Sequence, residues 1–118
     1  MQFDYDLVPE TGEYPTEALA EMATYLSGQA THRLSDGTFI VFPDVDARAA
    51  RMPALLRQEP DWLDGYVKLA ADRVTLGLVS DDAVRRQLHE FATWSAARWP
   101  AHLDYFGSAV PFDELLPA

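Results

Sequence analysis

Apolar and polar residues alternate at the start of the chain, with Phe3, Tyr5 and Leu7 on one side and Gln2, Asp4 and Asp6 on the other. A period of two predicts a half-buried strand. Pro15 and Thr16 then open a stretch in which Leu19, Met22, Ala23 and Leu26 recur at helical spacing, and Ser27-Gly28 closes it where glycine can supply a left-handed cap. Thr31 to Leu34 and Thr38 to Phe42 flank Ser35-Asp36-Gly37. Asp-Gly between apolar runs is the strongest short-range hairpin signal.

A second helix is expected from Pro43-Asp44 onward, with Val45, Ala49, Met52 and Leu56 inward and Pro53 forcing a kink or a fresh turn. Tyr66 to Ala70 and Val74 to Val79 read as strands joined by Ala71-Asp72-Arg73, and Gly77 points to a bulge or a close contact. Ser80-Asp81-Asp82 caps a third helix whose inward stripe is Val84, Leu88, Phe91, Ser95 and Trp99, stopped by Pro100. Ala101 to Phe106 alternates again, with Leu103 and Tyr105 opposed to His102, Asp104 and Phe106, and residues 111–116 add a helical turn. The order β-α-β-β-α-β-β-α-β predicts a single α+β domain over 1–118, a two-layer sandwich of helices on a mostly antiparallel sheet. A ferredoxin-like core with additions is one way to arrange those elements.

Composition supports a packed core. With 118 residues, 48% of them hydrophobic, the chain can bury enough surface to fold without staples. The absence of cysteine excludes disulfides, thiolate metal sites and cysteine nucleophiles. A ratio of 8 Arg to 1 Lys, with 17 Ala and one Ile, has the look of a GC-rich bacterial genome. The net charge of −10 disfavours nucleic acid and acidic membranes as partners. The longest uninterrupted apolar run, Phe39 to Phe42, is far short of a membrane span, and the acidic first residues do not resemble an export signal, so a cytoplasmic protein is expected.

Catalytic motifs are mostly missing. There is no G-x-S-x-G elbow and no glycine-rich phosphate loop, and no cofactor is implied. His89-Glu90 lacks the second histidine of a zincin helix, because Thr93 stands in its place. Asp44-x-Asp46 and Asp61-x-x-Asp64-Gly65 do not continue into a calcium-binding loop. His102 and Asp104, two apart on one strand face, could orient a general base, or bind a metal if His32 came near. Trp94, Trp99, Tyr105, Phe106 and Phe112 crowd the C-terminal quarter and are expected mainly in the core.

Charge is unevenly spread. Met1 to Thr31 contains Asp4, Asp6, Glu10, Glu13, Glu17 and Glu21 with no Lys or Arg, so it carries −6 and leaves −4 for the other 87 residues. Glu17 and Glu21 share a helical face with no cation nearby in sequence. The functional expectation is a non-enzymatic interaction module of the immunity-protein, antitoxin or regulatory kind. Asp4, Asp6, Glu13, Glu17 and Glu21 would meet a basic protein. The alternative is a small-molecule- or metal-binding enzyme or sensor built on His102 and Asp104. An exposed sheet edge would also serve a homodimer.

Overall fold

The computed structural model describes residues 3–57, 65–78 and 81–117. Strands β1 (Phe3–Pro9), β2 (Thr31–Arg33), β3 (Phe39–Val41), β4 (Gly65–Leu69), β5 (Val74–Leu78), β6 (Ala101–Tyr105) and β7 (Ser108–Val110) form a sheet ordered β2-β3-β4-β5-β1-β6-β7. Every pairing in it is antiparallel. The helices are α1 (Thr16–Ser27), α2 (Val45–Leu56) and α3 (Asp82–Arg98), and a 3-10 turn spans Phe112–Leu115. The sequence expectations at Gln2, Asp61, Asp64, Val79 and Ser80 lie outside the described residues.

The α+β sandwich is observed, and so is the logic of its additions. Strands β5 and β6, joined through α3, both run antiparallel to β1 and therefore parallel to each other on either side of it. That is a split β-α-β unit. Strands β4-β5-β1-β6 with α1 and α3 make a ferredoxin-like core, with β2, β3 and α2 inserted before β4 and β7 appended after β6.

Side-chain alternation sorts the sheet into two faces. Tyr5, Leu7, Phe39, Val41, Val67, Val74, Leu76, Leu78 and Leu103 are buried with Ala18, Met22 and Leu26 of α1 and Val84, Leu88, Phe91 and Ala92 of α3. Each large side chain buried this fully contributes roughly 1.5–3 kcal/mol from apolar area alone. The reverse face shows the other half of each strand. The register runs Lys68, Thr75, Asp6, Asp104 and Ala109 across five strands, one residue away from the row Leu69, Val74, Leu7, Leu103 and Val110.

Local chemistry explains several ends. Asp44 Oδ1 accepts the Ala47 amide at 2.7 Å and Asp81 Oδ1 accepts that of Val84 at 3.0 Å, so both helices start on a carboxylate cap. In the β2–β3 turn, Asp36 Oδ1 accepts the Thr38 amide at 2.9 Å, which holds the Asp36 carboxyl below its ordinary range. Gly37 occupies the left-handed region at φ +91°. A close contact, not a bulge, accounts for Gly77: the β5 register continues through it, and a methyl there would fall inside the Tyr66 ring.

Four expectations are corrected. Gly28 sits at φ −85°, so α1 ends without a left-handed cap. Helix α2 turns Met52 and Leu55, not Val45 and Leu56, toward the protein, packing them with Ile40 and Tyr66 on the reverse of the sheet. Val45 and Leu56 are 69% and 70% exposed. The helix continues through Pro53 and has no fully buried residue. The last strand stops at Tyr105, and Phe106-Gly107 turns the chain into β7. The C-terminal aromatics lie at the margin of the core, with Trp94, Trp99, Tyr105 and Phe112 only half-buried against it and Phe106 in solvent.

Candidate functional site

The sheet separates the acids that the sequence brings together. Asp4 and Asp6 lie on the reverse face, alternating with buried Tyr5 and Leu7, while Glu17 and Glu21 lie on α1, which packs over the opposite face. Both aspartates are tied to the sheet. Tyr66 Oη donates to Asp4 Oδ1 at 2.9 Å, and Thr75 Oγ1 donates to Asp6 Oδ1 at 2.9 Å while Arg73 approaches Asp6 Oδ2 at 3.3 Å. Burial, and then the hydrogen bond to Asp4, push the Tyr66 phenol up to about 12.

On the helix side, Glu10, Glu13, Glu17 and Glu21 are all exposed. Among the described residues one cation answers them from far along the chain: Arg98 Nε is 3.7 Å from Glu21 Oε2. The Arg98 guanidinium also lies over two indoles, 5.4 Å from the Trp94 ring and 5.8 Å from the Trp99 ring. At such exposure the ion pair contributes little to stability.

Beside this ridge is a hollow of about 280 Å³. Pro9, Tyr14, Pro15, Trp99 and Pro100 form its apolar walls, and Thr11, Glu13 and Arg98 its polar rim. Two backbone bonds assemble it, Glu10 N–H to Pro100 C=O at 2.9 Å and Tyr14 N–H to Ala71 C=O at 2.7 Å. The first ties the loop after β1 to the start of β6, which closes the gap between prolines some ninety positions apart in sequence. Prolines suit such walls because they fix the backbone and bring no amide that needs a partner. Tyr14 is buried, and burial raises its phenol to about 12, with the neighbouring Ser95 hydroxyl pulling slightly the other way. Neither Tyr14 Oη nor Ser95 Oγ makes a hydrogen bond of ordinary geometry.

Sequence reasoning named Glu13, Glu17 and Glu21 but missed the hollow beside them. The α3 pattern places Trp99 in the core stripe, and nothing local to residues 9–15 shows that they meet residues 98–100. The signal that was present is the pair of Pro-bounded segments, Pro9 to Pro15 and Trp99-Pro100, at the ends of neighbouring strands.

His102 and Asp104 do share the reverse face, with His102 Nε2 3.6 Å from Asp104 Oδ1. Asp104 is paired across strands with Asp6, and His102 with Val8. His32 is on β2, five strands away from β6, or roughly 24 Å at the usual spacing between strands. It cannot complete a metal site with them. Among the described residues no group of three or more His, Asp or Glu side chains is placed to hold a metal ion. The other histidine, His89, lies 3.1 Å from Asp113 Oδ1 and links α3 to the C-terminal turn. No helix among the described residues is long and apolar enough to cross a membrane.

Comparison of the chain with protein-family models, with curated proteins and with solved structures finds no match.

Proposed function

We propose that the protein is a non-enzymatic binding module that docks a basic protein on its helix side. Glu13, Glu17 and Glu21 form the charged ridge, and the hollow between Tyr14 and Trp99 receives an apolar side chain of the partner. The observation that carries this reading is the adjacency of the two features: an acidic ridge with Arg98 at its edge, set against a proline- and aromatic-walled hollow. Stable interfaces combine an apolar, aromatic centre with a polar rim, and acidic rims speed the encounter with basic surfaces and reject like-charged ones. Asp4 and Asp6 are left out of the contact because their carboxylates already serve Tyr66, Thr75 and Arg73 on the other side of the sheet. A regulatory protein of the immunity or antitoxin kind has this combination of small size and net charge of −10.

The test is retention of a lysate from the encoding cells on the immobilised protein at low salt, followed by a salt gradient and identification of what elutes. A basic protein retained in stoichiometric amount by the native chain, and lost when Glu13, Glu17 and Glu21 are all changed to Lys, is the expected result. Equal retention by the triple variant, or no specific retention by the folded native chain, would overturn the reading.

A further inference from the structure

The two edges of the sheet are finished differently. At β2 the outward carbonyl of Thr31 accepts Arg48 Nε at 2.8 Å, and Arg33 adds a charge, both devices that discourage a further strand. At β7 neither device is present. Tyr105 and Ser108 close a two-residue turn, which makes them a hydrogen-bonded pair and makes Asp104 and Ala109 the next, non-bonded pair. The N–H and C=O of Ala109 therefore point away from β6, and no group among the described residues takes them. Residues 106–111 carry no charged side chain.

The turn beside this edge holds an aromatic ring in solvent. Phe106 and Gly107 have φ of 51° and 82°, the positive values that a type I′ turn requires at both central positions. Asn, Asp or Gly suits the first of these. Phe106 stands there 90% exposed, its ring contact among the described residues an edge-on approach to Tyr105 at 4.5 Å. An acid stands beside the edge: Asp104 is the cross-strand partner of Ala109 and shares its face, with Asp6 next in the same row. Between Trp99 and Pro117 the sequence has no Lys or Arg; the groups that face these acids are Arg73 at Asp6 and His102 at Asp104, and His89 faces Asp113.

We infer that β7 receives an extended, basic segment of the partner protein as an eighth strand. The segment exchanges two main-chain hydrogen bonds with Ala109, places a Lys or Arg over the Ala109 methyl toward Asp104, and lays an apolar residue on Phe106. The inference rests on the basic-partner reading above and adds a second contact to it, on the sheet edge instead of the helix side. Charge selects this occupant over a second copy of the chain, because two copies would bring together a net charge of −10 each.

The test uses the full chain, isotope-labelled for amide NMR, titrated at low salt with a short blocked peptide of alternating lysine and valine and, separately, one of alternating glutamate and valine. The lysine peptide is expected to shift the amides of Asp104, Phe106 and Ala109 and to slow exchange at Ala109, while the glutamate peptide does nothing. Ala109→Pro removes the outward N–H at an edge position where proline is tolerated, and it should weaken the lysine peptide by about tenfold or more with the other amides unmoved. Asp104→Asn is the second variant, expected to weaken binding while leaving the main-chain positions intact. Shifts confined to Glu13–Glu21 with β7 silent would overturn the edge inference and leave the acidic ridge standing. No binding at all would overturn both for this class of ligand. Shifts at Ser108–Val110 that grow with protein concentration and need no peptide would give the edge to a second copy instead.

Discussion

Two rows of side chains, one residue apart along the same five strands, have opposite characters. Leu69, Val74, Leu7, Leu103 and Val110 face the helices, and Lys68, Thr75, Asp6, Asp104 and Ala109 face away. The first row is held by exclusion of water, the second by a few directed contacts at partial exposure. The contrast also explains the charge distribution. Acids four positions apart on α1 stay together, whereas acids on β1 are carried to the far side of the sheet, so a block that is continuous in sequence becomes two separate surfaces.

The sharpest way to break this comparison is to truncate neighbours in the two rows. Leu7→Ala leaves a cavity in the middle of the sheet and should lower stability by about 2–5 kcal/mol in urea unfolding. Asp6→Asn, next to it, should cost about 1 kcal/mol or less, because its carboxylate is 30% exposed and its ion pair is screened. Similar losses from both would mean that the reverse face is as structural as the core. Gly77→Ala comes next in size, at roughly 1–3 kcal/mol, since the new methyl must displace the Tyr66 ring that covers this part of the reverse face. Loss of the Tyr66 packing would show as a shift of its ring signals by NMR.

A smaller effect is alkaline. Tyr14 and Tyr66 both have phenols raised to about 12 by burial, so the folded chain holds these protons more tightly than the unfolded one. Their contribution is complete below the unfolded value near 10 and is lost as pH rises toward 12. Stability measured by chemical denaturation should fall across that window, and Tyr66→Phe or Tyr14→Phe should flatten the decline. Tyr14→Phe should do so with little loss at neutral pH, because the hydroxyl it removes has no hydrogen-bond partner. An unchanged slope in both variants would assign the alkaline loss elsewhere.

Much of the fold was legible because its signals are local. The Asp36-Gly37 hairpin, the alternation of β1 and the stripe Val84, Leu88, Phe91 and Ser95 on α3 each fix an element without help from the rest of the chain. Strand β7 was not legible, since Ser-Ala-Val is too short and too small to show a period, and the turn before it begins with Phe where Asn or Asp would have marked it. The phase of α2 was misread for a related reason. Four of its apolar residues are alanines and its larger ones fall on more than one side, so Met52 and Leu55 take the inward side because Ile40 and Tyr66 are there to meet them. At the candidate site the glutamates could be read from spacing, but the hollow depends on a loop after β1 meeting the start of β6, a long-range contact with no local trace.

The central claim is that the ridge on the helix side, and not Asp4 and Asp6 on the reverse of the sheet, guides the partner's approach. The most direct measurement is the association rate of the retained basic protein, at low and at physiological salt, with two charge variants of equal stability. One carries Glu13→Gln, Glu17→Gln and Glu21→Gln, and the other carries Asp4→Asn and Asp6→Asn. The account predicts that the glutamate variant associates about tenfold more slowly at low salt and loses most of its salt dependence, while the aspartate variant stays close to the native chain. A native-like rate for the glutamate variant together with a slowed aspartate variant would contradict it and move the interface to the reverse face of the sheet.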